Sequence, residues 1–158
     1  MRKSRVLFIY KQHLDHYGTP HGLANSAAFV ALALNNLGIE VKTVCVVDNN
    51  DIDREVHKFR PTHVVIEALW VVPEKFMVLH RLHPHVTWIV RIHSKTPFLA
   101  YEGTAIRWIY EYEEMRLFGG IKLYVSANSI SLFNDLQLTG VMPVYLPNIY
   151  NPPKYHRH

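Results

Sequence analysis

Two stretches of this chain carry the residue types and spacing that chemistry needs, and a third feature tempts a metal reading. The first is His93, which follows the apolar run Trp88-Ile-Val-Arg-Ile92 and precedes Ser94 and Lys95. An imidazole titrates near neutrality. At the end of a buried strand it can serve as a general base or bind a hydroxylated ligand, and it can equally be a structural histidine bonded to a nearby loop. The second is the turn Gly18-Thr-Pro-His-Gly22, preceded by Tyr17. Glycines let a ligand approach the backbone, and a helix N-terminus behind them favours an anion such as phosphate. The turn is not Gly-x-Gly-x-x-Gly and has no Gly-Lys-Ser/Thr of a P-loop; a plain strand-to-helix turn would look the same. The third feature is the set of 11 histidines, with His80, His83 and His85 clustered and His13 and His16 in the first loop. No His-Glu-x-x-His motif and no cysteine pair accompanies them, so no metal site and no cofactor is expected.

Other polar residues read as structural. Asp48 follows a strand where a dinucleotide fold would place a ribose ligand, but without the glycine fingerprint it reads as a helix cap or a solvated acid. Glu111, Glu113 and Glu114 sit in mid-helix and read as a solvated face. Cys45 falls inside a strand and reads as a small buried apolar group. No Gly-x-Ser-x-Gly elbow is present.

The elements that would position these residues alternate strictly. A continuous apolar strand spans 5–10, the pattern of a strand buried on both faces. A loop follows, then a helix over 23–37 with apolar and small residues at helical spacing and Gly38 as its stop. Strands are expected over 40–47, 62–68, 86–92, 121–126 and 144–146. Helices are expected over 51–59, 73–82, 104–118 and 129–138, with Pro73 in a first turn and Thr104 as an N-cap. No hairpin signal appears, and parallel strands need crossovers of this length. The expected fold is therefore α/β: a Rossmann-like three-layer sandwich with a mostly parallel sheet of about six strands and helices on both faces. Residues 1–150 form one domain in this reading, and 151–158 a linker or tail.

In such a sheet, ligands bind outside the carboxyl ends of the strands. That rule selects Tyr17, Gly18, Thr19, His21 and Gly22 after the first strand. It selects Glu67 and Trp70 after the third, His93 and Ser94 after the fourth, and Ser126 and Asn128 at the fifth.

Composition bounds the function. The chain has 158 residues, 49% of them apolar and 19% charged, values typical of a globular domain. Its net charge is +4, but the two tails hold five of the 17 basic residues and no acid, leaving 12 basic against 13 acidic residues between them. No broad phosphate-binding face and no nucleic-acid partner is expected from that balance. No apolar run is long enough to span a membrane, and the basic N-terminus lacks the features of a signal peptide. The single Cys45 excludes an intramolecular disulfide, and a cytoplasmic location fits.

Taken in order, several segments resemble a known family. They are the helix Gly22-Leu-Ala-Asn-Ser-Ala-Ala-Phe-Val-Ala-Leu-Ala-Leu-Asn-Asn-Leu-Gly38, then Pro61-Thr-His-Val-Val-Ile-Glu-Ala68, Val86-Thr-Trp-Ile-Val-Arg-Ile-His93, Lys122-Leu-Tyr-Val-Ser-Ala-Asn128 and Pro143-Val-Tyr-Leu-Pro-Asn148. This order resembles the N-terminal, acceptor-side domain of retaining GT-B glycosyltransferases of the glycogen-synthase-like type. Ile149 stands where that family usually has Gly. The resemblance implies transfer of a sugar from a nucleotide-sugar donor to a sugar-containing acceptor, with His93 as the catalytic residue facing the reacting sugars. Gly18, Thr19 and Gly22 would lie near the donor phosphates. It also implies a C-terminal donor-binding domain not contained in this chain, without which the chain would be inactive. The alternative is a stand-alone α/β binding module for a nucleotide, a sugar or a protein partner. A receiver-type phosphate-handling protein ranks last, because the first loop offers only Asp15 and the third strand ends on Glu67.

Overall fold

The computed structural model describes residues 3–12, 21–93 and 103–147, the side chains of 21–25 excepted. Its elements run β1 (Arg5–Lys11), α1 (His21–Asn36), β2 (Glu40–Val46), a 3-10 turn (Asn49–Asp51), α2 (Ile52–Phe59), β3 (His63–Glu67), α3 (Pro73–Leu82), β4 (Thr87–Ile92), α4 (Gly103–Gly119), β5 (Leu123–Ala127), α5 (Ile130–Leu138) and β6 (Val144–Tyr145). All six strands pair in parallel, in the order β2-β1-β3-β4-β5-β6. The alternation expected from sequence is thus the one found: α/β, three layers, six strands. No described helix is long and apolar enough to cross a membrane.

The boundaries have local causes. Pro73 opens α3 at a position where its missing N–H costs nothing. Asp48 caps the 3-10 turn by accepting from Asn50 N at 2.7 Å, and Ser129 caps α5 by accepting from Leu132 N at 3.2 Å. Gly38 ends α1 at φ +84, a conformation only glycine adopts cheaply. Thr104 does not cap α4; the helix already includes Gly103, so Thr104 falls in its first turn.

Crossover handedness decides which face each helix covers. The chain moves from β1 to β2 in one direction and from every later strand in the other. Hence α1 lies on one face, with Ala27 and Val30 packed on Phe8 and Val65. Opposite it, α2, α3, α4 and α5 cover Leu7, Ile9, Val64, Ile66, Trp88, Val90 and Val125. Three aromatic side chains meet within this larger core. Phe76 meets Trp88 edge-on at 5.9 Å and Tyr112 at 5.3 Å.

Two further readings of single residues change. Cys45 is exposed, because β2 is the sheet's edge. Glu113 is buried, not solvated: it takes a hydrogen bond from Arg116 and another from Met142 N at 3.2 Å.

Candidate functional site

Register places a polar row across the sheet near its carboxyl end, on the α1 face. Glu67 pairs with Arg91, Arg91 with Ser126, and Tyr10 with Cys45. Tyr10 lies one step beyond the Ile9–Ile66 pair, beside Glu67. Side chains at matched positions of a parallel sheet share a face, so these residues line up across five strands.

Glu67 and Arg91 are the centre of the row, and both are fully buried. Arg91 NH1 donates to Glu67 Oε1 at 3.1 Å. Its other donors reach Leu146 O at 3.1 Å, Pro147 O at 2.8 Å and Ser26 Oγ at 3.2 Å. One guanidinium therefore ties β3, the end of β6 and α1 together. The second oxygen of Glu67, Oε2, takes a hydrogen bond from His93 Nε2. The backbone carbonyl of Glu67 accepts from Trp70 Nε1 at 2.8 Å. Immediately after Glu67, Ala68 turns the chain at φ +74, a left-handed conformation that is costly for an alanine, while its N–H donates to Arg91 O at 2.9 Å.

This geometry orients the His93 ring. A ring that donates from Nε2 to a carboxylate keeps Nδ1 as an acceptor when it is neutral. The His93 side chain is 16% exposed, and no described residue bonds its Nδ1. A hydroxyl or N–H of a ligand is the natural complement. Beside this pair, Tyr10 has its phenol pushed above the ordinary value of 10.0, first by burial and then by Cys45. Ser126 is fully buried, and its Oγ has no hydrogen-bond partner among the described residues. Among the described residues, no three His, Cys, Asp or Glu side chains are grouped as a metal ion would need.

The candidates chosen from sequence distribute as follows. Glu67, His93 and Trp70 come together through the contacts above, and Ser126 joins the same row through Arg91. Asn128 follows β5 and is half-buried. His21 and Gly22 open α1, their side chains outside the description. Tyr17, Gly18, Thr19 and Ser94 lie outside the described residues, as do 151–158. Arg91 is the residue that sequence reasoning missed. Its signal was present: a lone charge inside Trp88-Ile-Val-Arg-Ile92, an otherwise apolar strand, must be paired when the strand is buried.

The strand order 2-1-3-4-5 is that of flavodoxin-like folds, with the ligand crevice between β1 and β3 where the winding reverses. Glu67 ends β3 at that switch point. No family model matches the sequence, and no curated protein matches it. Among solved structures, a family 3 carbohydrate esterase of Clostridium thermocellum aligns over 81% of this chain and 79% of its own, with a TM-score of 0.54 and 10% identity. A lysine decarboxylase of Francisella novicida aligns over 89% of this chain but only 17% of its own, with a TM-score of 0.50 and 15% identity. A chemotaxis response regulator of Vibrio cholerae aligns over 87% of this chain and 98% of its own, with a TM-score of 0.45 and 13% identity.

At such identities the esterase and the decarboxylase show the fold alone, and that fold is a flavodoxin-like α/β sandwich. They overturn the resemblance to GT-B glycosyltransferases: these neighbours are not transferases of that type, and the winding is the flavodoxin order. The ground for expecting a glycosyltransferase, a nucleotide-sugar donor and a fragment of a two-domain transferase falls with it. The physical reason is that both windings alternate strand and helix identically along the chain, so the order of segments does not separate them.

Proposed function

We propose that the chain is an α/β binding module that takes a small hydroxylated ligand, a sugar or a nucleotide, at the carboxyl end of β3 and β4. The observation that carries this reading is His93. Buried Glu67 holds the ring through Nε2, buried Arg91 holds Glu67, and no described residue bonds Nδ1. A side chain fixed by a buried partner that is itself held in place loses little freedom when it binds, which favours affinity. Trp70 donates to Glu67 O and packs in part against the larger core, so it braces the same strand end. His93 is the contact residue in this arrangement, and Glu67 and Arg91 position it.

The test is a thermal-shift screen of the purified chain against nucleosides, nucleotides, monosaccharides and oligosaccharides, because a ligand that binds the native state raises its midpoint. One class should stabilise the wild type, with the shift lost in His93→Ala. A flat screen, or the same shift in His93→Ala, sinks the proposal.

A further inference from the structure

The opposite, amino end of the sheet gathers cations that the site above does not use. Two adjoining clefts open there, of about 470 Å3 and about 280 Å3, and Arg60 lines both. The first is also lined by Lys3, Arg5, Lys58 and Glu40. The second is lined by His57, His83 and His85. Some of these charges are already spent. Arg5 meets Glu40 at 2.5 Å and donates twice to Phe59 O, at 2.8 and 3.2 Å. His83 Nε2 meets Asp53 Oδ1 at 2.7 Å. The side chains of Lys3, Lys58 and Arg60 make no hydrogen bond or ion pair among the described residues. Among the described residues, the one carboxylate lining the clefts, Glu40, is occupied by Arg5, and Lys3, Lys58 and Arg60 face concave space with no described acid paired to them.

Arg60 adds a second, independent observation. It caps α2 at φ +53 and ψ +57, with its N–H on Val56 O at 2.8 Å. Glycine is the usual residue at a left-handed helix cap. Here a guanidinium occupies that position instead, at the junction of both clefts, and strained backbone of this kind is commonest where a side chain has a task.

We infer that the amino end of the sheet is a second binding site, for a compact multivalent oxyanion of the diphosphate class. Arg60 is its central ligand and Lys3 and Lys58 its flank. A guanidinium fork matches phosphate oxygens two at a time. The ligand is compact because the cations surround clefts rather than a long groove.

The experiment is isothermal titration with inorganic pyrophosphate, run on the wild type, Arg60→Gly, Lys58→Ala and His93→Ala. Arg60→Gly removes the guanidinium and suits the backbone, so a thermal midpoint at or above that of the wild type certifies its fold. The wild type and His93→Ala should bind alike, with affinity reduced roughly tenfold or more in Arg60→Gly, as for loss of a charged hydrogen bond, and less in Lys58→Ala. Absence of binding to the wild type overturns the inference, as does equal binding by Arg60→Gly. Loss in His93→Ala alone overturns it by moving the anion to the carboxyl end. A short single-stranded oligonucleotide that binds more tightly than pyrophosphate, with steep salt dependence, overturns it in favour of a nucleic-acid backbone.

Discussion

Replacing Glu67 with leucine should destabilise the fold by about 3–5 kcal/mol, the cost of leaving a buried charge without its partner. The magnitude follows from the geometry. Glu67 and Arg91 are both fully buried and meet at 3.1 Å. At that separation the Coulomb attraction is about 5 kcal/mol for an effective dielectric near 20. Leu146 O, Pro147 O and Ser26 Oγ still accept from Arg91 in the variant, so the guanidinium stays hydrogen-bonded but uncompensated. Glu67→Gln loses the charge and keeps an acceptor, so it should cost less, about 1.5–3 kcal/mol. Pairing Glu67→Leu with Arg91→Met removes both charges, and the double variant should be more stable than Glu67→Leu alone. Urea unfolding gives the answer as a lower midpoint at unchanged slope; with slopes of about 1–3 kcal/mol/M, the leucine variant should move by roughly 1 M or more. A shift worth under about 1 kcal/mol for Glu67→Leu, the scale of an exposed ion pair, would refute the reasoning. So would a double variant as unstable as the two singles added. If Glu67→Leu does not fold at all, Glu67→Gln and the double variant still decide the matter.

Ala68→Gly should stabilise by about 0.5–1 kcal/mol, because φ +74 strains an alanine by about 1–2 kcal/mol and glycine returns part of that gain through its larger unfolded entropy; a lower thermal midpoint would contradict it. Tyr112→Phe should cost about 1–3 kcal/mol in urea unfolding: the buried phenol, whose ionisation burial pushes well above the usual tyrosine range, donates to Val71 O, which the variant orphans. His63 is held below its ordinary value of 6.5 by burial, so between that value and its lower folded one the unfolded chain binds more protons. Its contribution to stability is complete above about pH 6.5 and declines as the pH falls through the folded value; unfolding free energies measured across this window should show less of that decline in His63→Gln.

Most of the fold was legible because periodicity and punctuation report local structure directly. Pro73, Gly38 and Ser129 mark their helix ends in the sequence as they do in space. Thr104 misled because a good cap residue was preceded by a glycine that the helix absorbed. Cys45 and Glu113 misled for a different reason. Burial is a property of neighbours: Glu40–Val46 reads as an ordinary β-branched strand, and only its place at the sheet's edge exposes Cys45. Glu113 sits among charged helix residues, and only the approach of Met142 from a distant turn buries it.

The same limit governs the two proposed sites. The carboxyl-end rule selected Glu67, Trp70 and His93 from sequence, because it needs only strand ends, and the structure brings the three together. It missed Arg91, whose part depends on register: one shift along β4 would turn its side chain to the other face and leave Glu67 unpaired. The amino-end cations were hidden by arithmetic. A body of 12 basic and 13 acidic residues looks neutral, yet neutrality in total permits strong local asymmetry. Lys3, Lys58 and Arg60 come from two distant parts of the chain, and the parallel register that sets β1 beside β2 and β3 brings them to one edge. Glu40 stands there too, but Arg5 consumes it. What decides an electrostatic site is the count of charges left after internal pairing, and that count exists only once the strands have been ordered.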